Sequence, residues 1–525
     1  MPENIESPQL ALGAEAEPPP PPREPRPSAA APERAPRFQP VNRSQWLLHP
    51  VDVERLVGPE HLARAIWRLA GRLDLSRFSA GVKAVEGVAG RPAYDPRLLI
   101  SLWVYAYSQK VSSAREVERR CAYDPAYQWL TGMEEVNHHT LSDFRLQRQE
   151  ALDELFTQLL AVLEEEELIT LQCVAHDGTK VKAAASGRSF HREKTLRAHL
   201  EAARERVREM GDPREEEPSR RAAARERAAR EKVDRLEQAL EEMKKVQAAP
   251  EARAEKSERR VSETDPEARV MKQGDGGYAP SHNVQISTDA AQGIIVGVRV
   301  TQAASDQHEM APAVEEIERR MGRRPERLLV DDGYTTRENV LAAAERGVDL
   351  MGGTMERDAP AARRRRQQRD IDPAFYPGNF LYEAATDTYR CPAGKPLPYQ
   401  TTRQDRVGVK RHLYKAPAAD CRACALQKPC GPGKHGRQIG RSENVPAVAA
   451  YVAKMRTAEA QALYRWRAPV AEFSNLWLKA KLGLRQFCVR GLQKARCEAL
   501  WACLTYNIQQ WFRLRWKAGR IAARG

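Results

Sequence analysis

The run Leu328-Leu329-Val330 stops on two adjacent aspartates, Asp331 and Asp332, with Gly333 and Tyr334 directly after them. An earlier run, "LQCVAH", stops in the same way on Asp177 and Gly178. Short apolar stretches bounded by turn residues read as strands, so both carboxylates fall where a strand runs out. Further β-rich runs, "HNVQISTD", "GIIVGVRVTQ" and "VDLMGG", alternate with the helical stretches "DQHEMAPAVEEIERRMG" and "TRENVLAAAERG". Three strands, a helix, a strand, a helix and a strand predict a mixed α/β sheet with carboxylates at strand ends. The sheet must be split, because residues 189–260 are dominated by Glu, Arg, Lys and Ala and fit no strand pattern.

At 525 residues the chain is expected to hold roughly three or four folding units. Residues 1–43 are rich in Pro, Ala and Glu, with prolines at every position from 18 to 22, and are expected to be a disordered tail. Residues 44–165 carry helical spacing, as in "HLARAIWRLAGRLDL" and "PRLLISLWVYAYSQKV", with helix starts marked at Asp95-Pro96 and Ser112-Ser113. This predicts an all-α domain. Residues 166–352 together with 456–515 form the α/β core, interrupted by a charged helical insertion at 189–260 and a basic, Cys-containing insertion at 353–455; residues 516–525 are a basic tail. In the first insertion Leu196, Leu200, Val207, Leu236, Leu240 and Met243 line a possible helical-hairpin seam, with Gly211-Asp212-Pro213 as its turn. Solvated helices satisfy the same pattern.

Lys and Arg number 85 against 71 Asp and Glu, a net charge of +14. That favours a polyanionic partner, although an Arg-rich solvated surface gives the same figure. No apolar run approaches the roughly 18 residues of a membrane span, and no basic-then-apolar leader opens the chain. A soluble cytoplasmic protein without membrane contact is expected. Nine cysteines in such a chain argue for thiols or metal ligands rather than disulfides. Cys421 and Cys424 form a Cys-x-x-Cys pair that fits half of a tetrahedral Zn²⁺ site, which Cys391 and Cys430 would close, with His412 or His435 as substitutes. Reduced, unliganded thiols are the other reading. Cys121, Cys173, Cys488, Cys497 and Cys503 lie in apolar contexts and are expected in the core, as are Trp466, Trp477, Trp501, Trp511 and Trp516. His138 and His139 precede "LSDFR" at a helix start, with Thr140 or Ser142 as the expected cap. The basic run "ARRRRQQRD" suits phosphate or water equally.

Three longer segments carry a resemblance. The words "HDGTKVKAAAS" around Asp177, "VDDGYTTREN" around Asp331, and the set Tyr464, Arg467, Glu472 and Lys479 resemble bacterial insertion-sequence transposases of the DDE class. Upstream, "GRPAYDPRLLISLWVYAYSQKVSSAREVERR", "YQWLTG" and "HHTLSDFR" are similar to the helical N-terminal domain of those enzymes. The likeness runs from about Trp46 to Phe512 and includes "LGLRQFCVRGLQKARCEALWACLTYNI". It departs after Glu472, where "FSNL" stands in place of a Pro-apolar-Phe-Gly run, so Glu498 is the fallback carboxylate.

The resemblance implies an RNase H-like mixed-sheet catalytic core behind a helical DNA-binding domain. Its second aspartate is followed by one variable residue and then Gly-Tyr, which selects Asp331. Asp332 is then expected to face away or to cap the next helix, since neighbouring strand residues point to opposite faces. Asp177, Asp331 and Glu472 would hold Mg²⁺ (or Mn²⁺), while Lys180, Arg467 and Lys479 position phosphate and Tyr464 acts near it. Three carboxylates suit phosphodiester chemistry because two divalent cations roughly 3.5 to 4 Å apart stabilise both the attacking and the leaving oxygen. The implied reaction cuts a transposon end to free a 3′-hydroxyl, which attacks target DNA. The partners implied are double-stranded DNA and further copies of the chain in a synaptic complex, in a bacterial cytoplasm at the nucleoid. An inactive DNA-binding derivative and a nuclease that cuts without joining remain the alternatives.

Overall fold

The computed structural model describes residues 50–80, 82, 92–210, 220–248, 259–353, 367–404, 410–442 and 446–516. The Pro/Ala-rich tail, the Gly211-Asp212-Pro213 turn, the Arg363–Arg366 run and residues 517–525 lie outside the described residues.

Helices open the described chain: α1 (Leu62–Ala70), α2 (Ser76–Ser79), α3 (Pro96–Ser108), α4 (Ala114–Cys121), α5 (Pro125–Thr131), α6 (His138–Gln147) and α7 (Gln149–Glu165). The Asp95 carboxylate accepts the Arg97 N–H and Pro96 takes the first turn of α3, where a missing N–H costs nothing. Helix α4 begins directly after Ser113. The cap of α6 is not Thr140 or Ser142 but Asn137, whose side chain accepts the His139 N–H at 2.8 Å. His138 instead meets Glu118 at 2.7 Å.

The sheet follows. Its elements are β1 (Cys173–Lys182), β2 (Phe190–His191), α8 (Glu193–Glu209), α9 (Arg220–Ala248), β3 (Val261–Ser262), β4 (Arg269–Lys272), β5 (Tyr278–Asp289), β6 (Ile294–Thr301), α10 (Met310–Met321), β7 (Arg327–Leu329), α11 (Arg337–Glu345) and β8 (Asp349–Met351). The path runs β4-β5-β1-β7-β8, and β6 shares the outer edge of β5 with β4. Strand β5 is antiparallel to β4, β6 and β1, whereas β1, β7 and β8 are mutually parallel. Short turns join β4 to β5 and β5 to β6, β1 reaches β5 through the helical insertion, and α10 and α11 provide the crossovers that the parallel strands require.

The charged insertion is a helical pair. Leu196, Leu200, Ala203, Leu236, Ala239 and Met243 are buried between α8 and α9, and Val207 and Leu240 are half-buried, so the hairpin reading holds over the solvated one. The two-stranded pairing of β2 with β3 forms its neck. The second insertion is a five-stranded antiparallel sheet in the order β13-β12-β11-β10-β9, from β9 (Leu381–Glu383), β10 (Thr388–Arg390), β11 (Pro396–Gln404), β12 (Lys410–Lys415) and β13 (Gln438–Ser442). Two short helices, α12 (Ala418–Arg422) and α13 (Gln427–Cys430), interrupt it.

The chain then returns to the main sheet with α14 (Pro446–Met455), α15 (Ala458–Tyr464), α16 (Arg467–Ala480) and α17 (Leu492–Trp511). Tyr451 on α14 donates to the Gly353 carbonyl at 2.9 Å, and Lys454 to that of Leu350 at 2.7 Å. Asn507 on α17 both donates to and accepts from the Ile295 backbone, at 2.8 and 2.9 Å, and so satisfies the free edge of β6. The helical layer is locked to the same helix. The Arg145 carbonyl on α6 accepts from Cys497 at 3.0 Å and Trp501 at 3.3 Å, and the Tyr107 and Trp501 rings stack at 7°. Cys121, Cys497, Cys503, Trp501 and Trp511 are buried, while Trp466 is exposed. No described helix is long and apolar enough to cross a membrane.

Candidate active site

Parallel pairing sets Ala175 of β1 opposite Leu329 of β7. Two residues further on, Asp177 lies level with Asp331, which follows the end of β7; β1 itself continues to Lys182, so Asp177 stands in mid-strand and not, as expected, where the strand runs out. The Asp331 carboxylate turns back to accept the Gly333 N–H at 2.7 Å. A Cβ on Gly333 would lie 3.0 Å from that same oxygen, which explains the glycine. Asp177 accepts its neighbour's N–H from Gly178 at 2.9 Å on one oxygen and the Asn475 amide at 3.1 Å on the other.

The electrostatics follow from this placement. Burial pushes the Asp177 carboxyl up to about 6, the Asp331 charge adds to the rise, and Arg467 opposes it. Asp332 is exposed and lies against the backbone of Gly353, where an added Cβ would meet its carboxylate oxygen at 1.7 Å. It does not cap α11: that cap is Thr336, whose hydroxyl accepts from the Asn339 N–H.

Helix α16 lies over β1 and β5, fixed by a 3.0 Å hydrogen bond from Thr288 to Ser474. From it Asn475 reaches Asp177, Arg467 acts on the Asp177 charge, and Lys479 is half-buried. The Lys479 ammonium is held below its usual range, first by burial and then by Arg485, with Asp177 pulling the other way. Tyr464 is half-buried at the end of α15. Glu472 is exposed, one turn before Asn475. Among the described residues, Asp177, Asp331 and Glu472 do not form a group with donor atoms all within 4.8 Å; His191, His199 and Glu263 do.

Lys180 pairs with Asp306 at 2.9 Å inside a polar cluster, while its charge also acts on Lys479 and that of Asp306 on Asp177. Asp306 also accepts from Asn283 at 2.6 Å and from Gln285 at 2.7 Å, and the Gln285 oxygen accepts from Tyr334 at 2.5 Å. His176 joins Gln285 and Ser287 at 2.9 Å each, and burial drives its imidazole down to about 4, so it is neutral. A Cβ at Gly178 would sit 2.4 Å from Gln285 and 2.5 Å from Asp306, which is why glycine follows the first aspartate.

Glu498, the fallback carboxylate, is buried on α17, where it accepts the Cys488 N–H at 3.0 Å and is pushed up by burial.

Sequence reasoning missed Asn475, Asp306, Gln285 and His176. Asp306 lies five residues past the end of β6, in the loop before α10, and nothing in the local pattern marked Asn475.

The donor set fits a hard divalent cation. Two carboxylates converge, and the Asn475 Oδ1, beside Asp177, is buried with no hydrogen-bond partner. In the second insertion Cys391, Cys421, Cys424 and Cys430 line one small apolar cavity with Phe375. The Lys395 N–H points to the Cys391 sulfur at 3.3 Å and the Arg437 N–H to that of Cys421 at 3.4 Å.

Two neighbouring carboxylates on a mixed sheet, with Arg467 and Lys479 on the helix over them, suit phosphoryl-transfer chemistry. Residues 390–512 match the family model of a transposase DDE domain, and residues 51–147 that of a transposase domain, DUF772. Both matched segments are transposase domains, and together they support an insertion-sequence DDE transposase. The first match includes Tyr464, Arg467, Glu472 and Lys479; Asp177 and Asp331 lie before it. No curated protein matches the chain.

Proposed function

We propose that this transposase binds the terminal inverted repeats of its insertion sequence, cuts a strand at each end and joins the freed 3′-hydroxyl to target DNA. The observation that carries this reading is the placing of Asp177, in mid-β1, within electrostatic reach of Asp331 just past the end of the parallel strand β7, with Asn475 of α16 on the Asp177 carboxylate. The order β6-β5-β1-β7-β8, with β5 alone running against its neighbours, supports an RNase H-like core.

In this reading Asp177, Asp331 and Glu472 hold magnesium or manganese, with the Asn475 oxygen as a further donor. The cation, when bound, stabilises charge on the attacking and leaving oxygens. The chain's own groups do the rest. Asn475 and the Gly178 N–H fix the two Asp177 oxygens, so the carboxylate does not rotate away. Arg467 and Lys479 hold the scissile phosphate on the α16 side. Lys180, paired with Asp306, adds its charge to the field at Lys479. Residues 51–147 grip the duplex, and copies of the chain bring two ends together.

We infer that Cys391, Cys421, Cys424 and Cys430 bind structural Zn²⁺. Their shared cavity and the two backbone N–H groups aimed at sulfur are what a thiolate site needs.

Labelled DNA spanning the element's ends, incubated with Mg²⁺, tests the main reading. Cutting and joining by wild type, lost in Asp177→Asn, Asp331→Asn and Glu472→Gln with binding retained, is the expected result. Cutting without joining would instead leave a nuclease. Binding with no cutting, even with Mn²⁺, would leave an inactive DNA-binding derivative.

A further inference from the structure

At the neck of the helical insertion three side chains converge that strand cutting does not use. His191 ends β2, His199 lies in the second turn of α8, and Glu263 directly follows β3. One Glu263 oxygen is 2.8 Å from His199 Nδ1 and the other 3.8 Å from His191 Nε2. The two rings stand edge to face with centroids 5.1 Å apart. All three donor atoms lie within 4.8 Å of one another, and none of the residues is buried or fully exposed.

We propose that His191, His199 and Glu263 bind a borderline divalent cation, Zn²⁺, that staples the hairpin to the core. Two imidazoles and one carboxylate are zinc donors, and water completes four-coordination. A tetrahedral ion at about 2.0 to 2.1 Å wants donors about 3.4 Å apart. Half-exposed side chains reach that spacing by small rotamer adjustments, while the backbone beneath them is already fixed. Phe190 pairs with Ser262 across the neck, the Glu263 N–H donates to the Ser189 carbonyl at 2.9 Å, and the Ser189 and Ser262 hydroxyls meet at 2.7 Å. Three different segments, β2, α8 and the end of β3, therefore supply one ligand each. Such a cross-link restrains the hairpin where it leaves the sheet, a place where only two residues of each strand pair. The basic side chains Lys232, Arg235 and Arg490 share a cleft with Glu263, so the site competes with them for its carboxylate.

The proposal stands apart from the transposase reading, because its readout is metal binding. Untagged full-length protein is stripped with chelator and titrated with ZnCl₂, alongside His199→Gln and Glu263→Gln. The expected result is that each variant loses one zinc equivalent, or binds it at least tenfold more weakly, with circular dichroism unchanged. Cobalt substitution separates the cysteines: the equivalent that is lost carries no thiolate charge-transfer band. On wild-type protein, zinc is expected to slow carbethoxylation of His191 and His199, read by mass spectrometry, at least fivefold. Equal zinc equivalents and affinity in all three proteins, or no protection of the two histidines, would overturn the proposal and leave a His–Glu ion-pair cluster.

Discussion

Asp177→Asn is expected to make the metal-free protein more stable while abolishing its activity. The carboxyl sits at about 6 against a reference of 3.8, with burial the larger cause and Asp331 the next. Because the folded state holds this proton more tightly than the unfolded one, stability falls as pH rises from about 4 to 6, and the full penalty is present above 6. At 1.36 kcal/mol per pKa unit the penalty is about 3 kcal/mol at pH 8 and about half of that at pH 5. The amide keeps the Gly178 hydrogen bond through its oxygen. Its NH₂ faces Asn475, whose unpartnered Oδ1 accepts it once that amide rotates. Little hydrogen bonding is therefore lost, and the neutral side chain retains most of the gain. The assay is thermal or urea unfolding of chelator-treated wild type and variant at pH 5 and pH 8. The variant should be the more stable by about 2 to 3 kcal/mol at pH 8, with the gap roughly halved at pH 5. Mg²⁺ at about 100 times its Kd should then close the gap, adding about 2.7 kcal/mol to a protein that binds it, and at about 1,000 times its Kd, adding about 4.1 kcal/mol, should reverse the order. A variant less stable than wild type at pH 8, or a gap that does not shrink at pH 5, would refute the reasoning.

Asp331→Asn should abolish strand cutting while Asp332→Asn leaves it within severalfold of wild type; the reverse result would show that the wrong aspartate has been chosen. Gly178→Ala drives a methyl into Gln285 and Asp306 and should cost about 1 to 3 kcal/mol in urea unfolding, whereas Gly187→Ala, which meets nothing, should cost well under 1. His176, whose imidazole is held near 4, makes the fold lose stability as pH falls from about 6.5 to 4, and His176→Gln should flatten that acid limb in a pH series of melting temperatures. Protein purified without chelator should carry zinc at the cysteine site, and Cys421→Ser with Cys424→Ser should remove one equivalent together with the cobalt thiolate band; zinc well below one per chain in wild type would exclude that site.

The main sheet was legible because its strands contain apolar runs: "HNVQISTD" is buried throughout and "IIVGVRV" along most of its length. The five-stranded insertion was not legible for the opposite reason. β11 is exposed at most positions, so "PLPYQTTRQ" offers neither an apolar run nor clean alternation, and its core is a few scattered residues such as Leu397 and Tyr414. Helix caps were half readable. An Asp before a Pro announces itself, but at "EVNHHTLSDF" three candidate caps stand close together, and only backbone geometry selects Asn137. In the site, Asp331 stood out because it follows a strand end, whereas Asp177-Gly178 looked like a strand end and is mid-strand, because β1 continues to Lys182 along β5. Asn475 did not, because an amide in mid-helix has meaning only once the helix is laid against Asp177.

The position of α16 in the chain also dictates when this site can exist. β1 pairs with β5 across the whole first insertion, and α16 meets β1 nearly 300 residues after Asp177 has been synthesised, as the 298-residue span from Asp177 to Asn475 records. Contacts so remote in sequence form late, after local hairpins have closed. A nascent chain therefore displays both aspartates long before the helix that carries Arg467, Glu472, Asn475 and Lys479 has left the ribosome. On the proposed function, a chain stopped before α16 keeps both aspartates, lacks Arg467, Glu472, Asn475 and Lys479, and would not cut DNA.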